Sequence, residues 1–230
     1  MIEAAKNHII EITIVVVVVV YFCARWKTNS DAMKQRHEDA KDLFDTAKAI
    51  YESGDFILAA TKLAESLGHS ETSEAYELLG CAMEKLKKYD AAAKAFTDAS
   101  WLQRKGPGAL YSYYCYRAAK SHASEGNWEF AFLRAQGGIE VAENHSNARF
   151  VDGEDWETYL REVRMIAALH HLKGTEAFET ARADANWILA NSKNGKQLKL
   201  AKSIAELKDV VPDIATAIDS DASRDRFGNN

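Results

Sequence analysis

The sequence predicts an all-α protein, in which an N-terminal transmembrane helix precedes three to four stacked helical hairpins and a C-terminal capping helix. The chain of 230 residues contains only two prolines, and outside its N-terminus it has few runs of β-branched residues, so little of it suits a sheet. Small and aromatic residues recur at the spacing of a helical hairpin in the middle of the chain. A long apolar segment near the N-terminus predicts the transmembrane helix.

The clearest hairpin is marked by Gly80, Ala92, Phe96 and Ala99. Gly80 has no Cβ and lets a second helix approach closely, while Ala92 is small enough to fit opposite and Phe96 fills the space between the helices. The offsets of twelve, sixteen and nineteen residues between these positions resemble those of the tetratricopeptide repeat (TPR) family. The resemblance implies an α-solenoid whose hairpins enclose a concave groove for a protein or peptide.

Further hairpins are expected on both sides, because a lone hairpin cannot cover its own apolar faces. The upstream unit is marked by Leu43, Ala47, Ile50, Gly54, Phe56, Ala59 and Leu63. The downstream unit is marked by Ala119, Gly126, Trp128 and Ala131. About five extra residues separate it from the central unit, and the pattern places them in the Gly106-Pro107-Gly108 loop.

A fourth hairpin is predicted near the C-terminus. Its first helix is marked by Val163, Ile166, Ala167, His170 and Gly174, and its second by Ala177, Ala181, Ala185, Trp187 and Ile188. Residues from about Gln197 to Val210 have helical apolar spacing, which predicts a closing helix that ends at Pro212. The repeat domain is therefore predicted over 39–211, after a linker or helix start at 28–38, and residues 212–230 are predicted to form a disordered tail.

The N-terminal membrane anchor is predicted at residues 1–27, with the span itself at 9–24. Glu11 and Thr13 interrupt an otherwise apolar run, and a helix of this length covers roughly 24 Å of a hydrocarbon core about 30 Å thick. A cleaved signal peptide, a lipoprotein signal at Cys23 and a buried strand are the alternatives. The weakly basic leader, the bulky residues before Cys23 and the lack of a pairing strand disfavour them.

Basic residues on the two sides of the span predict its orientation. Only Lys6 precedes it, whereas four follow closely: Arg25, Lys27, Lys34 and Arg36. Because basic flanks remain in the cytoplasm, the single-pass protein is expected to hold its helical domain in the cytosol, and the opposite face is the alternative.

Catalytic and cofactor chemistry is not indicated, so an enzyme is not expected. His170 and His171 are adjacent and point about 100° apart on a helix, which does not suit one metal ion. One of the two is expected in the core and the other in solvent. The acidic run at 152–157 lacks the spacing of a calcium loop, and it predicts a solvated loop and helix start. No cofactor, metal or small-molecule substrate is predicted, and the net charge of -5 argues against a nucleic-acid partner.

Partner-binding residues are predicted at the positions that line the groove in the family that the chain resembles. In the first three hairpins these positions carry Lys41, Phe44, Lys48 and Tyr51; Glu74, Glu77, Cys81 and Glu84; and Tyr113, Tyr116 and Lys120, with Arg117 adjacent to them. Aromatic rings and both signs of charge suit an extended or helical peptide. The alternative is that the tyrosines pack between the hairpins.

The sequence is compatible with two functions. The first is a membrane-tethered adaptor or scaffold that binds a protein partner in its groove and helps to assemble or localise a complex. The second is a permanent structural subunit of a larger membrane assembly.

Overall fold

The structure is a computed structural model of the chain. It describes the backbone of residues 2–104, 109–144, 150–151 and 154–206. Side chains are described from residue 25 onward within these ranges, except at 109, 150–151 and 154. The Gly106-Pro107-Gly108 loop and the tail predicted at 212–230 lie outside the described residues.

The described residues form an all-α protein, as predicted. The helices are α1 (Ile2–Ser53), α2 (Phe56–His69), α3 (Ser73–Lys85), α4 (Tyr89–Gln103), α5 (Ala109–Ser124), α6 (Trp128–Asn144), α7 (Trp156–His171), α8 (Gly174–Asn191) and α9 (Gly195–Ala205). Two short antiparallel strands, β1 (Phe150–Val151) and β2 (Glu154–Asp155), connect α6 to α7. Each helix packs against the next one along the chain, and α5 also packs against α7.

A residue in the left-handed backbone region lies between the two helices of each of the first three pairs. Gly54 (φ +92°), Lys87 (φ 57°) and Gly126 (φ +81°) occupy it, and the N–H of each donates to the carbonyl oxygen three residues earlier. Glycine adopts this conformation without a steric cost, whereas lysine does so less readily. In the fourth pair the left-handed residue is Gly174 (φ +62°), which is the first residue of α8.

The helix pairs are held together by close approaches at two glycines. A Cβ added to Gly80 would lie 2.6 Å from Cζ of Phe96, and one added to Gly138 would lie 2.8 Å from Cδ1 of Leu160. Phe96 and Leu160 are fully buried. The contact between Gly80 and Phe96 is the one that the sequence predicts, and Gly138 provides its counterpart between α6 and α7.

The core runs through the described helices as four adjoining clusters. Ala47, Leu63 and Ala75 join α1, α2 and α3. Phe96 and Tyr114 join α4 to α5. Two larger clusters then join α5 to α6 and α7, and α7 to α8 and α9. Each helix buries its apolar face against its sequence neighbours, which is the arrangement that hairpin spacing predicts.

The helix boundaries differ from the predicted ones in the fourth pair. Gly174 begins α8 and does not belong to the first helix, which starts at Trp156, within the acidic run at 152–157 where a helix start is predicted. The side chain of Asp155 accepts a hydrogen bond from the backbone N–H of Thr158 (3.4 Å) and so caps that start. The closing helix α9 begins close to the predicted position, and its predicted end at Val210 lies outside the described residues.

The region predicted as a linker or helix start at 28–38 is helical, because α1 is continuous through it. The predicted span at 9–24 belongs to the part of α1 whose side chains lie outside the described residues. In the part of the chain that the structure describes, no helix combines the length and apolarity that crossing a membrane requires.

We expect Gly80→Ala to lower the free energy of unfolding by about 1–3 kcal/mol, because its methyl group would overlap the ring of Phe96. Chemical denaturation of the full chain measures this value. Gly68→Ala is the matched control, since nothing lies within 4 Å of the added Cβ. An equal effect of the two substitutions would contradict the role of the contact between Gly80 and Phe96.

Candidate protein-binding surface

The predicted groove residues come from the first helix of each pair, and helical spacing puts them on one face. Glu77, Cys81 and Glu84 lie four and three residues apart on α3, while Tyr113 and Arg117 lie four apart on α5. In the structure these two helix faces are joined by hydrogen bonds. We refer to the half-buried residues that connect α3, α5 and α7 on this side as the groove cluster: Glu77, Cys81, Glu84, Tyr113, Tyr116, Arg117, Trp156 and Tyr159.

Glu77 binds two tyrosine hydroxyl groups from α5. Tyr113 Oη donates to Glu77 Oε1 (2.8 Å), and Tyr114 Oη donates to Glu77 Oε2 (2.9 Å). Tyr114 is only 1% exposed, so its ring is a core residue, whereas Tyr113 is half-buried. Both oxygens of Glu77 are thus engaged, which fixes α3 against α5.

Arg117 is the centre of the charged part of the groove cluster. Its guanidinium donates to Glu84 Oε2 (2.7 Å), to Tyr113 Oη (2.7 Å) and to Cys81 Sγ (3.3 Å). Cζ of Arg117 also lies 4.4 Å from the centroid of the Phe96 ring. The Phe96 ring, which packs on Gly80, therefore also makes a cation–π contact with Arg117.

Aromatic rings extend the groove cluster onto α7. The ring centroid of Trp156 lies 4.8 Å from that of Tyr113 and 5.4 Å from that of Tyr116. Tyr159 lies 5.4 Å from Tyr116. The indole N–H of Trp156 is buried and has no hydrogen-bond partner among the described residues. These rings form an amphipathic surface, and tyrosine and tryptophan are enriched in protein interfaces.

Burial controls the protonation of the groove cluster. It raises the pKa of the Cys81 thiol, although Arg117 beside it acts in the opposite direction. Burial also lowers the pKa of Lys120 and raises that of Tyr51, on which Cys81, Arg117 and Glu84 act as nearby charged groups. Tyr51 of α1 therefore adjoins the cluster, and Lys120 has no ion pair in the described part of the chain.

Four predicted groove residues lie outside the groove cluster. Lys41, Lys48 and Glu74 are exposed. Phe44 packs against the buried residues that join α1, α2 and α3, so it contributes to the core. The groove cluster thus accounts for six of the predicted residues, Glu77, Cys81, Glu84, Tyr113, Tyr116 and Arg117, with Tyr51 and Lys120 at its edge.

Trp156 and Tyr159 were not predicted. The predicted groove positions cover only the first three hairpins, so no groove residue is predicted in the helix that starts within the acidic run at 152–157. The spacing of Trp156, Tyr159 and Val163 by three and four residues is a helical signal that extends this helix toward its N-terminus.

A second charged network joins α6, α7 and α8 and is more deeply buried. Asp184, which is 0% exposed, accepts hydrogen bonds from Arg161 Nη1 (3.0 Å) and from Arg164 Nε (2.8 Å). Arg161 also donates to Glu157 (2.9 Å) and to Glu143 (2.5 Å). These ionic groups are paired within the fold, so we assign them a structural role.

The histidine pair has a packing role. His170 stacks on Trp128 with ring centroids 4.0 Å apart, and His171 lies 6.1 Å from Phe132. Both histidines are half-buried, so the prediction that one of them faces solvent is wrong. Among the described residues, no group of three or more His, Cys, Asp or Glu could hold a metal ion.

No protein-family model matches this chain, and no curated protein matches it either. What its surface can bind is therefore inferred from the geometry of the groove cluster.

We expect Arg117 and Glu84 to be coupled by about 1–2 kcal/mol, because both are half-buried and joined by a charged hydrogen bond. A double-mutant cycle with Arg117→Met and Glu84→Gln, followed by chemical denaturation, measures this coupling. The more exposed pair Lys62 and Glu65 is the control, with an expected coupling below about 0.5 kcal/mol. Equal coupling in the two pairs would contradict the assignment of Arg117 as the centre of the cluster.

Asp184→Asn is expected to lower the free energy of unfolding by about 3–5 kcal/mol, because it removes the buried carboxylate that pairs with Arg164 and one of the two buried carboxylates that pair with Arg161. Denaturant unfolding measures the change. Asp45→Asn, at an exposed position of α1, is expected to stay within about 0.5 kcal/mol of the native chain. A small effect at Asp184 would show that the network adds little to stability.

Proposed function

We propose that this protein is a membrane-tethered adaptor of the TPR-like solenoid type, which binds a protein partner on the groove cluster and helps to assemble or localise a complex. The observation that carries the proposal is the continuity of the cluster. Its aromatic and charged side chains come from three successive first helices, α3, α5 and α7. A surface shared by successive first helices suits an extended or helical peptide, which crosses several units.

The chemistry of the surface also supports protein binding. Tyrosine, tryptophan and arginine are the residues that most often dominate the energy of protein interfaces. Glu77, Glu84 and Arg117 hold one another in place, so a partner would meet a preorganised surface and would lose less conformational entropy on binding. Among the described residues Lys120 forms no direct salt bridge, although Glu84 and Glu162 act on its pKa from a greater distance, so its ammonium group can contact a partner.

The membrane tether is supported by the apolar residues at 9–24 and by the continuity of α1, which runs without a break into the helical domain. The basic residues after the proposed span favour a cytosolic helical domain.

A permanent structural subunit is the second candidate, and exposed apolar residues on the second helices favour it. Trp101 and Leu102 end α4, and Phe130 and Leu133 lie in α6; all four are exposed. A second apolar surface on the outer helices suits a fixed neighbour in a larger assembly.

Affinity purification from membranes with quantitative mass spectrometry tests the adaptor. We expect Lys120→Glu to reduce recovery of the partner by about tenfold or more, because it reverses a groove charge that makes no ion pair in the described fold. Lys94→Glu, at an exposed position of α4, is the control with the same charge change. An adaptor exchanges a labelled partner within the assay, whereas a structural subunit retains it at a fixed ratio.

Equal recovery by the two variants would exclude the groove as the binding surface. Loss of the partner in Leu133→Asp, with full recovery by Lys120→Glu, would favour the structural subunit. Circular dichroism of each purified variant separates loss of binding from loss of folding.

A further inference from the structure

A reactive dipeptide, Asn194-Gly195, joins α8 to the closing helix α9. Among the asparagines of the sequence, Asn194 is the only one that a glycine follows. An asparagine side chain in this context can react with the next main-chain nitrogen, because glycine has no Cβ to shield that nitrogen or to restrict the backbone. The sequence therefore marks Asn194 as the asparagine most open to this reaction.

The main-chain nitrogen of Gly195 is available as a nucleophile. Gly195 is the first residue of α9, and its N–H donates no hydrogen bond to the described residues. Asn194 and Gly195 are both exposed, and nothing lies within 4 Å of a Cβ built on Gly195. A helix leaves its first N–H groups without partners of its own, so the fold does not withdraw this nitrogen from solvent.

The side-chain carbonyl group of Asn194 is polarised by the helix that it caps. Oδ1 of Asn194 accepts a hydrogen bond from the backbone N–H of Lys196 (3.0 Å). A donor at this oxygen stabilises the negative charge that develops there during an attack on Cγ. The ammonium groups of Lys193 and Lys196 are exposed beside the site, and their positive charges favour loss of the proton from the Gly195 nitrogen.

Asn191 shows the opposite arrangement at the end of α8. It is exposed, but the next N–H, that of Ser192, donates to the carbonyl oxygen of Ile188 (2.8 Å). Nδ2 of Asn191 donates to the carbonyl oxygen of Trp187 (2.9 Å). The nucleophile and the leaving group are thus both engaged by the helix, and Asn191 is an internal control in the same segment.

We propose that Asn194 is a site of spontaneous deamidation, through a succinimide that it forms with Gly195, and that the isoaspartate product loosens α9. The proposal depends on neither the adaptor function nor the membrane tether, because it rests on the connection between α8 and α9 alone.

The reaction needs only water besides these two residues. The Gly195 nitrogen gives its proton to water and bonds to Cγ of Asn194; the bond from Cγ to Nδ2 breaks, and Nδ2 takes up a proton and leaves as ammonia. Water then opens the succinimide at one of its two carbonyl carbons. Cleavage between the nitrogen and Cγ gives aspartate. Cleavage between the nitrogen and the main-chain carbonyl carbon gives isoaspartate, in which the chain continues through Cβ and Cγ.

The two products affect the start of α9 differently. Aspartate keeps a side-chain oxygen at the cap, where the positive end of the helix dipole favours its charge. Isoaspartate lengthens the main chain and displaces both acceptors that fix the first turn. These are Oδ1 of Asn194, which binds the N–H of Lys196, and the main-chain oxygen of Asn194, which binds the N–H of Leu198 (2.9 Å).

The closing helix depends on its attachment, because it is only 11 residues long. Helices shorter than about 12 residues are marginal in isolation. Leu200 and Ile204 bury α9 against α7 and α8. At its start, Gln197 accepts a hydrogen bond from Ser192 Oγ (2.8 Å) and donates one to Glu162 (2.9 Å). A displaced first turn breaks these bonds, so isoaspartate is expected to expose the amides of α9.

Incubation of the full chain in detergent micelles at neutral pH tests the reaction. Ion-exchange chromatography separates the deamidated chain by its added negative charge, and peptide mapping by mass spectrometry identifies the modified residue and distinguishes aspartate from isoaspartate. We expect Asn194 to deamidate at least about tenfold faster than Asn191, because only Asn194 is followed by a free N–H.

Two variants separate the chemistry from the cap. Gly195→Ala keeps Asn194 and has room for its methyl group, which is expected to slow the reaction by about tenfold or more. Asn194→Ser keeps a capping side chain without the reactive amide, so deamidation at this position is abolished. Hydrogen exchange of the α9 amides is expected to increase with the isoaspartate content of the native chain and to stay constant in Asn194→Ser.

Equal rates at Asn194 and Asn191, or an unchanged rate in Gly195→Ala, would overturn the assignment of the site. The comparison with Asn191 is made within the native chain, so it holds whatever a variant does to folding. Isoaspartate at position 194 with unchanged hydrogen exchange in α9 would overturn the loosening of this helix.

Discussion

The contact between Phe96 and Gly80 is the constraint on which the rest of the described structure depends. The ring occupies the place of a side chain that Gly80 lacks, so α3 and α4 pack more closely than any larger residue would allow. The same ring also lies 4.4 Å from Cζ of Arg117, measured at its centroid, and Arg117 belongs to the next helix pair. One aromatic residue therefore fixes the spacing inside one pair and the position of the charge that connects it to the next.

Charge is used differently in the two halves of the helical domain. Around Arg117 the ionic groups are half-buried and shared between successive first helices, so they lie on a surface that a partner can reach. Around Asp184 they are almost completely buried and join first to second helices, where they specify packing. Desolvation makes the second arrangement costly unless every charge is paired, and Arg161 satisfies that condition through three carboxylates, Glu143, Glu157 and Asp184.

The groove cluster presents aromatic rings whose neighbouring charges are mostly neutralised within the fold. The helix α1 runs without a break from the proposed membrane anchor into the first unit of the domain, where groups of the cluster act on the pKa of Tyr51 near its end.

The sequence by itself determined the all-α class, the helix pairs and the packing of Gly80 against Phe96, because these depend on local spacing and on residue size. It also placed Tyr113 and Arg117 on one face of α5, since helical periodicity alone sets that. Tertiary structure decided the rest. The packing of α7 against α5 and the pairing of Asp184 with two arginines depend on contacts between residues distant in the chain. Spacing within one helix carries no information about such contacts, so Trp156 and Tyr159 became part of the groove cluster only once α7 was packed against α5.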